Sequence, residues 1–193
     1  GQRWGNPHYN WTSMRANDFE WWRQRMRAHC ECFDLVRIDH FRGFAAAWTI
    51  PADELTAIHG VWVEAPGTEL LTVFAVECPD LELVAEDLGV ITPDVVALRQ
   101  QFKLPGMGVL QFSFDDHADN PHKPENVDET TVFYTGTHDN DTTVGWWESQ
   151  PEEMRERVTQ TLACAPEQVP ARMLETVFES RAALAIVPMQ DVL

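Results

Sequence analysis

The sequence predicts an α/β fold with about five parallel strands and flanking helices, either part of a (β/α)8 TIM barrel or an open doubly wound sheet. Short, nearly all-apolar segments alternate with segments of helical periodicity, the pattern of parallel βαβ units. Those short segments are too continuously apolar for a sheet wetted on one face, so burial on both faces is expected. Polar residues recur where three of them end, in "RIDHFRG", "AEDLG" and "GTHDND". In a (β/α)8 barrel the strand C-termini gather at one mouth, where catalytic side chains sit. In an open doubly wound sheet they would meet in a crevice. No G-x-G-x-x-G follows a strand and GxxxxGK is absent, which disfavours dinucleotide and P-loop chemistry.

Residues 18–32 set Phe19, Trp22, Met26 and Cys30 near helical spacing, with Asn17 or Asp18 as N-cap. Residues 35–38 are a short apolar run and read as the first strand. The stretch 45–67 reads as a long loop, and "GTELLTVFAVE" as the next helix. "LELVAEDLG" is a strand over 81–85 that ends in charge. In "TPDVVALRQQF", Thr92 is placed to cap and Pro93 occupies the first helical position, a strong helix start. Strands follow near 108–112 and 131–135. Residues 141–182 look mostly helical, broken near Pro166 and Pro170, and the last strand falls near 185–188. No internal repeat or low-complexity linker interrupts this order.

The chain has 193 residues, 44% of them hydrophobic, so it holds material for a packed core. Its formal charge is −17. A surface this acidic repels phosphate backbones and anionic lipid, which argues against nucleic-acid and membrane partners and leaves neutral substrates open. No apolar run approaches the length of a membrane span. Cys30, Cys32, Cys78 and Cys164 show no disulfide framework, and no His pair stands at zinc-site spacing. Reduced thiols in a cytoplasmic protein are therefore expected. The opening "GQRWGNPHYNW" reads as mid-sequence, so the chain is expected to be a segment of a longer polypeptide.

Asp39, Glu86 and Asp139 stand at corresponding places in the three polar strand ends. Cleaving a glycosidic bond takes two carboxyl groups, one to protonate the leaving oxygen and one to act at the anomeric carbon. Arg37 beside Asp39 would hold that carboxylate ionised, as a nucleophile requires. Glu86, near other acids, is suited to carry a proton. Asp139 and His138 offer two groups for sugar hydroxyls. Asp87 is a neighbour that strand alternation turns away from Glu86. Trp62 is weighed as a sugar wall or a loop-packing ring. Trp146 and Trp147 read as core, and 115–129 as a solvated acidic loop.

Taken together, "GQRWGNP", "FDLVRIDHFRGF", "AIHGVWVEAPG", "VAEDLGVITPDV", "LPGMGVLQF", "YTGTHDNDTTVGWW" and "IVPMQDVL" resemble the amylomaltase (4-α-glucanotransferase, disproportionating enzyme) family. These blocks cover most of the chain in the family's order. The resemblance implies a (β/α)8 barrel in the α-amylase-like retaining group, acting on α-1,4-glucans and maltooligosaccharides without cofactor or metal. It implies Asp39 as nucleophile, Glu86 as general acid/base and Asp139 as transition-state stabiliser. Arg37, His138, His40 and Asn140 become substrate-binding or supporting residues, and Trp4 an acceptor-side wall. Arg3, Gly108 and the run from Lys123 to Val127 depart from the family's pattern. The family's first strands would precede Gly1 and an acceptor-site segment would follow Leu193. The alternatives are an α-glucan hydrolase, or a silent glucan-binding or structural segment whose open strand edges promote self-association.

Overall fold

The computed structural model describes residues 2–193. The chain divides into two compact units, the first ending at Leu104 and the second running from Pro105 to Leu193. Both are α/β, with parallel strands and flanking helices.

In the first unit, Asn10 caps helix α1 (Trp11–Ala16), its side chain accepting the N–H of Ser13. Helix α2 (Glu20–Cys30) follows, and its N-cap is Phe19 in the left-handed region, not Asn17 or Asp18. Asn17 instead ends α1, and the turn forces positive φ on Asp18 and Phe19 so that the Phe19 ring can be buried. Strand β1 (Leu35–Ile38) pairs in parallel with β4 (Glu82–Ala85). The connection between them contains β2 (Ala46–Thr49), β3 (Val61–Glu64) and α3 (Gly67–Glu77). The expected loop 45–67 is thus an antiparallel ribbon, β2 on β3, carried out as an arm. Helix α4 (Pro93–Gln101) begins at Pro93 as predicted. Phe41, Leu70, Phe74, Ala85 and Val95 form the centre of this unit's core, all nearly fully buried.

Cys30 and Cys78 form a disulfide with Cα atoms 6.3 Å apart, which corrects the expectation of reduced thiols for this pair. The two lie 48 residues apart and meet because α2 packs on α3, a relation that spacing along the chain does not encode. Cys32 and Cys164 are free, the first exposed and the second half-buried.

The second unit is a three-stranded parallel sheet in the order β5 (Gly106–Val109), β6 (Thr131–Tyr134), β7 (Leu184–Ile186). Every residue of β5 is buried, as its apolar sequence requires. Helices α5 (Thr143–Ser149), α6 (Glu152–Leu162) and α7 (Val169–Phe178) connect β6 to β7. Pro170 lies inside the first turn of α7, where a missing N–H costs nothing, so the break sits before it in the short turn Pro166–Gln168. Leu110, Phe133, Val158 and Met173 anchor the core, with Trp146 and Trp147 packed against it as expected. Among the described residues no helix is long and apolar enough to cross a membrane.

Candidate active site

The last register pair of the β1–β4 ladder is Ile38 with Ala85, so Asp39 and Glu86 are the residues that follow on neighbouring strands. Four hydrogen bonds lock this corner together. The Glu86 N–H donates to the Ile38 carbonyl at 2.9 Å, and the Phe41 N–H to the Glu86 carbonyl at 3.1 Å. The Glu86 carboxylate accepts the His40 N–H at 2.7 Å through Oε2 and the Leu88 N–H at 2.9 Å through Oε1. Each oxygen keeps a further lone pair for a proton or a hydroxyl. Asp39 pairs with Arg37, Nη1 to Oδ1 at 2.8 Å, and its side chain is 76% exposed. At that exposure the pair adds little to stability, so its value is in aiming the carboxylate.

Asp87 turns to Arg99 of α4, 3.2 Å away, with both side chains less than one-fifth exposed. The two acids, both just beyond the end of β4, thus take different partners, Glu86 in the corner and Asp87 on a helix.

His40 carries the corner's backbone strain. Its φ of 47° is left-handed, a region costing a non-glycine residue roughly 1–2 kcal/mol. The turn is held by its N–H on Glu86 and by the Gly43 N–H donated to the His40 carbonyl at 2.8 Å. Trp4 sits edge-on to the His40 ring at 4.6 Å between centroids and is 58% exposed. The exposed residues Trp4, Asp39 and His40 thus share one corner with half-buried Arg37 and Glu86.

Arg42, in the 3-10 turn Phe41–Phe44, also belongs to this corner. Its guanidinium lies over the Trp62 ring at 4.3 Å. Nη1 donates to the Val90 carbonyl at 3.1 Å and to Thr92 Oγ1 at 3.0 Å. Trp62, half-exposed and edge-on to Trp48, therefore has a packing partner on its ring.

In the second unit, the segment after β6 carries His138, Asp139 and Asn140. His138 Nε2 lies 3.4 Å from Asp139 Oδ2, with both side chains more than 70% exposed. Asn140 Oδ1 accepts the N–H and hydroxyl of Thr137, each at 2.9 Å, closing a tight turn. Asp191, in the short turn after β7, holds both ends of this segment. It accepts the Thr135 hydroxyl and the Thr143 N–H, each at 2.7 Å. Gln111 adds a bond from Nε2 to the Asp141 carbonyl at 3.0 Å. Nothing local in "IVPMQDVL" marks Asp191 for this task, because its partners lie 48 and 56 residues away.

The 115–129 stretch is more than a solvated loop. Val127 is 1% exposed, and Asn120 bonds the Phe112 carbonyl at 2.9 Å. His122 Nδ1 accepts the Val109 N–H at 3.2 Å. The burial of two or three residues pins the acidic remainder to the sheet.

A family model described as 4-alpha-glucanotransferase matches residues 1–193. The chain is 46% identical over its whole length to a chloroplastic/amyloplastic 4-alpha-glucanotransferase of Solanum tuberosum, spanning 34% of that relative. It is 47% identical to a 4-alpha-glucanotransferase of Synechocystis sp., spanning 39% of it. Among solved structures, an amylomaltase from Streptococcus agalactiae in complex with acarbose superposes with a TM-score of 0.92 at 36% identity. The match covers all of this chain and 39% of that one. The chain thus spans between a third and two-fifths of the length of these relatives.

Proposed function

Because the chain belongs to the glycoside hydrolase 77 family, the 4-alpha-glucanotransferases, we propose that it forms part of a (β/α)8 catalytic barrel. The activity is transfer of α-1,4-glucan segments between chains with retention. Asp39 Oδ attacks the anomeric carbon while Glu86 gives its proton to the departing glycosidic oxygen, leaving a β-glucosyl ester on Asp39. An acceptor 4-hydroxyl then loses its proton to Glu86 as its oxygen attacks that carbon and frees Asp39. Asp139 and His138 bind hydroxyls of the reacting sugar, with Asn140 shaping their turn. Arg37 aims Asp39, and Trp4 with His40 borders the site. The substrates are α-1,4-glucans and maltooligosaccharides, and both displacements balance without a cofactor. A cytoplasmic setting belongs to this proposal.

The observation that supports the reading best is the joining of Asp39 and Glu86 at adjacent ends of one parallel ladder. The test is Asp39→Asn in the full-length polypeptide, which removes the nucleophile and keeps the size. Disproportionation of maltotriose into glucose and longer maltodextrins should fall by at least about a thousandfold, with an unchanged far-ultraviolet spectrum. A variant that kept substantial transfer would sink the assignment.

A further inference from the structure

Arg42 touches three segments at once, and only one of them is its own. It leaves the turn that follows Asp39, stacks on Trp62 of the β2–β3 arm, and bonds Val90 and Thr92 in the stretch after Glu86. A planar guanidinium can lie face-on to a ring while its edge donates hydrogen bonds, which an ammonium does less well. Thr92 is the N-cap residue of α4, yet its side chain makes no capping bond. Its hydroxyl is engaged by Arg42 and by Asp94, whose carboxyl it holds below the usual range. The arm needs such an anchor, since a two-stranded ribbon alone is marginally stable in water. Its strands and tip expose Leu55, Ile58, Val61, Trp62 and Val63.

We infer that Arg42 is a positioning residue that latches the β2–β3 arm to the segment after Glu86 and so sets how well an acceptor glucan outcompetes water. The inference rests on the proposed glucan transfer. In that chemistry Glu86 faces first the leaving sugar and then the acceptor hydroxyl, so whatever is fixed beside the Glu86 segment borders the acceptor side. An arm free to swing admits water to the glucosyl ester; an arm held by Arg42 presents an apolar wall there.

The test uses the full-length polypeptide with Arg42→Met, Arg42→Lys, Trp62→Leu, Trp62→Phe and the Arg42→Met/Trp62→Leu double variant. Maltotriose kinetics supply the acceptor KM and the ratio of transfer to hydrolysis. The burst of nitrophenol from an aryl maltoside reports the first displacement. Removing either partner should raise the acceptor KM roughly 3- to 30-fold and shift products toward hydrolysis, with a smaller change in the burst rate. Trp62→Phe keeps a ring face and should recover most of the loss. Arg42→Lys keeps the charge but not the fork and should recover less. The double variant should be no worse than the worse single one. A lower melting temperature with unchanged acceptor KM and product ratio would overturn the inference, as would additive effects in the double variant. Should Arg42→Met not fold, half-exposed Trp62 carries the same test. Asp39→Asn separates the two levels. Loss of activity there with no effect of Arg42→Met or Trp62→Leu defeats the latch alone, whereas an active Asp39→Asn defeats the glucan-transfer reading beneath it.

Discussion

His122 joins the acidic 115–129 segment to the sheet by accepting the Val109 N–H at Nδ1. Only the imidazole with a bare Nδ1 can accept that bond. Burial holds its pKa below the ordinary value of 6.5, with Asp115 acting more weakly in the other direction. As pH falls through 6.5 the unfolded chain takes up a proton that the folded chain resists. The stability tied to this group is therefore complete above that value and lost as pH falls toward the folded pKa. We expect His122→Asn, whose Oδ1 can accept the same N–H, to flatten this part of the profile. The urea midpoint should drop less for the variant than for the native chain between about pH 7.5 and about pH 5.5. Equal drops would remove His122 from the account. Backbone groups also fix Glu86, whose two oxygens take the N–H groups of residues 40 and 88.

Helices α2 and α3 are tied by chemistry of two kinds. Glu77 near the end of α3 accepts from both Arg23 and Arg27 of α2, and Arg27 followed by Arg23 holds its carboxyl below the usual range. One residue further on, Cys78 is bonded to Cys30. The Arg27–Glu77 pair, half-exposed on its arginine side, responds to salt and contributes modestly, whereas Arg23 and Glu77 are both largely covered. The disulfide closes a 48-residue separation, which in the chain-entropy description is worth about 4 kcal/mol. Reductant should therefore lower the urea midpoint of the native chain, and Cys78→Ser should show the lower value with or without reductant. Titration of the native oxidised state should find two thiols, Cys32 and Cys164, after brief unfolding without reductant. Finding four would show that the bond does not form.

At the scale of the molecule, the described residues carry five parallel strands in two ladders, β1–β4 and β5–β6–β7, together with the antiparallel arm. It spans 34% of its potato relative and 39% of the cyanobacterial one. On the proposal that this chain forms part of a (β/α)8 barrel, closure takes strands beyond the five described, and substrate positioning provides much of a catalyst's rate. The 193-residue chain alone is therefore expected to disproportionate maltotriose at least about a hundredfold more slowly than the full-length polypeptide. Matching rates would show that the remaining strands are dispensable. On the same proposal, open strand edges in the isolated chain are expected to pair with a second copy, which light scattering would read as a concentration-dependent mass; a concentration-independent monomer mass would refute it.

Five parallel strands were legible in the sequence as short apolar runs, three of them ended by polar residues, although β5 begins two residues before the expected 108–112 and gives way to a 3-10 turn at Leu110–Phe112. Helix α3 and the start of α4 were legible through local periodicity and a Pro at the first helical position. The pairing of Asp39 with Arg37 follows from neighbours on one strand. The arm was not legible, since "AAAWT" and "VWVE" are separated by a long, irregular tip and pair only with each other. Nor was the cap of α2, where burying the Phe19 ring outweighed the better capping chemistry of Asn17 and Asp18. The Cys30–Cys78 bond, the grip of Arg42 on Val90, Thr92 and Trp62, and the closure of the 135–143 segment by Asp191 share one property. Each joins residues 20 to 56 positions apart, and such contacts arise only when packed elements bring distant side chains within a few ångströms. Local propensity decides which elements form; which side chains then meet is decided by burial of the core beneath them.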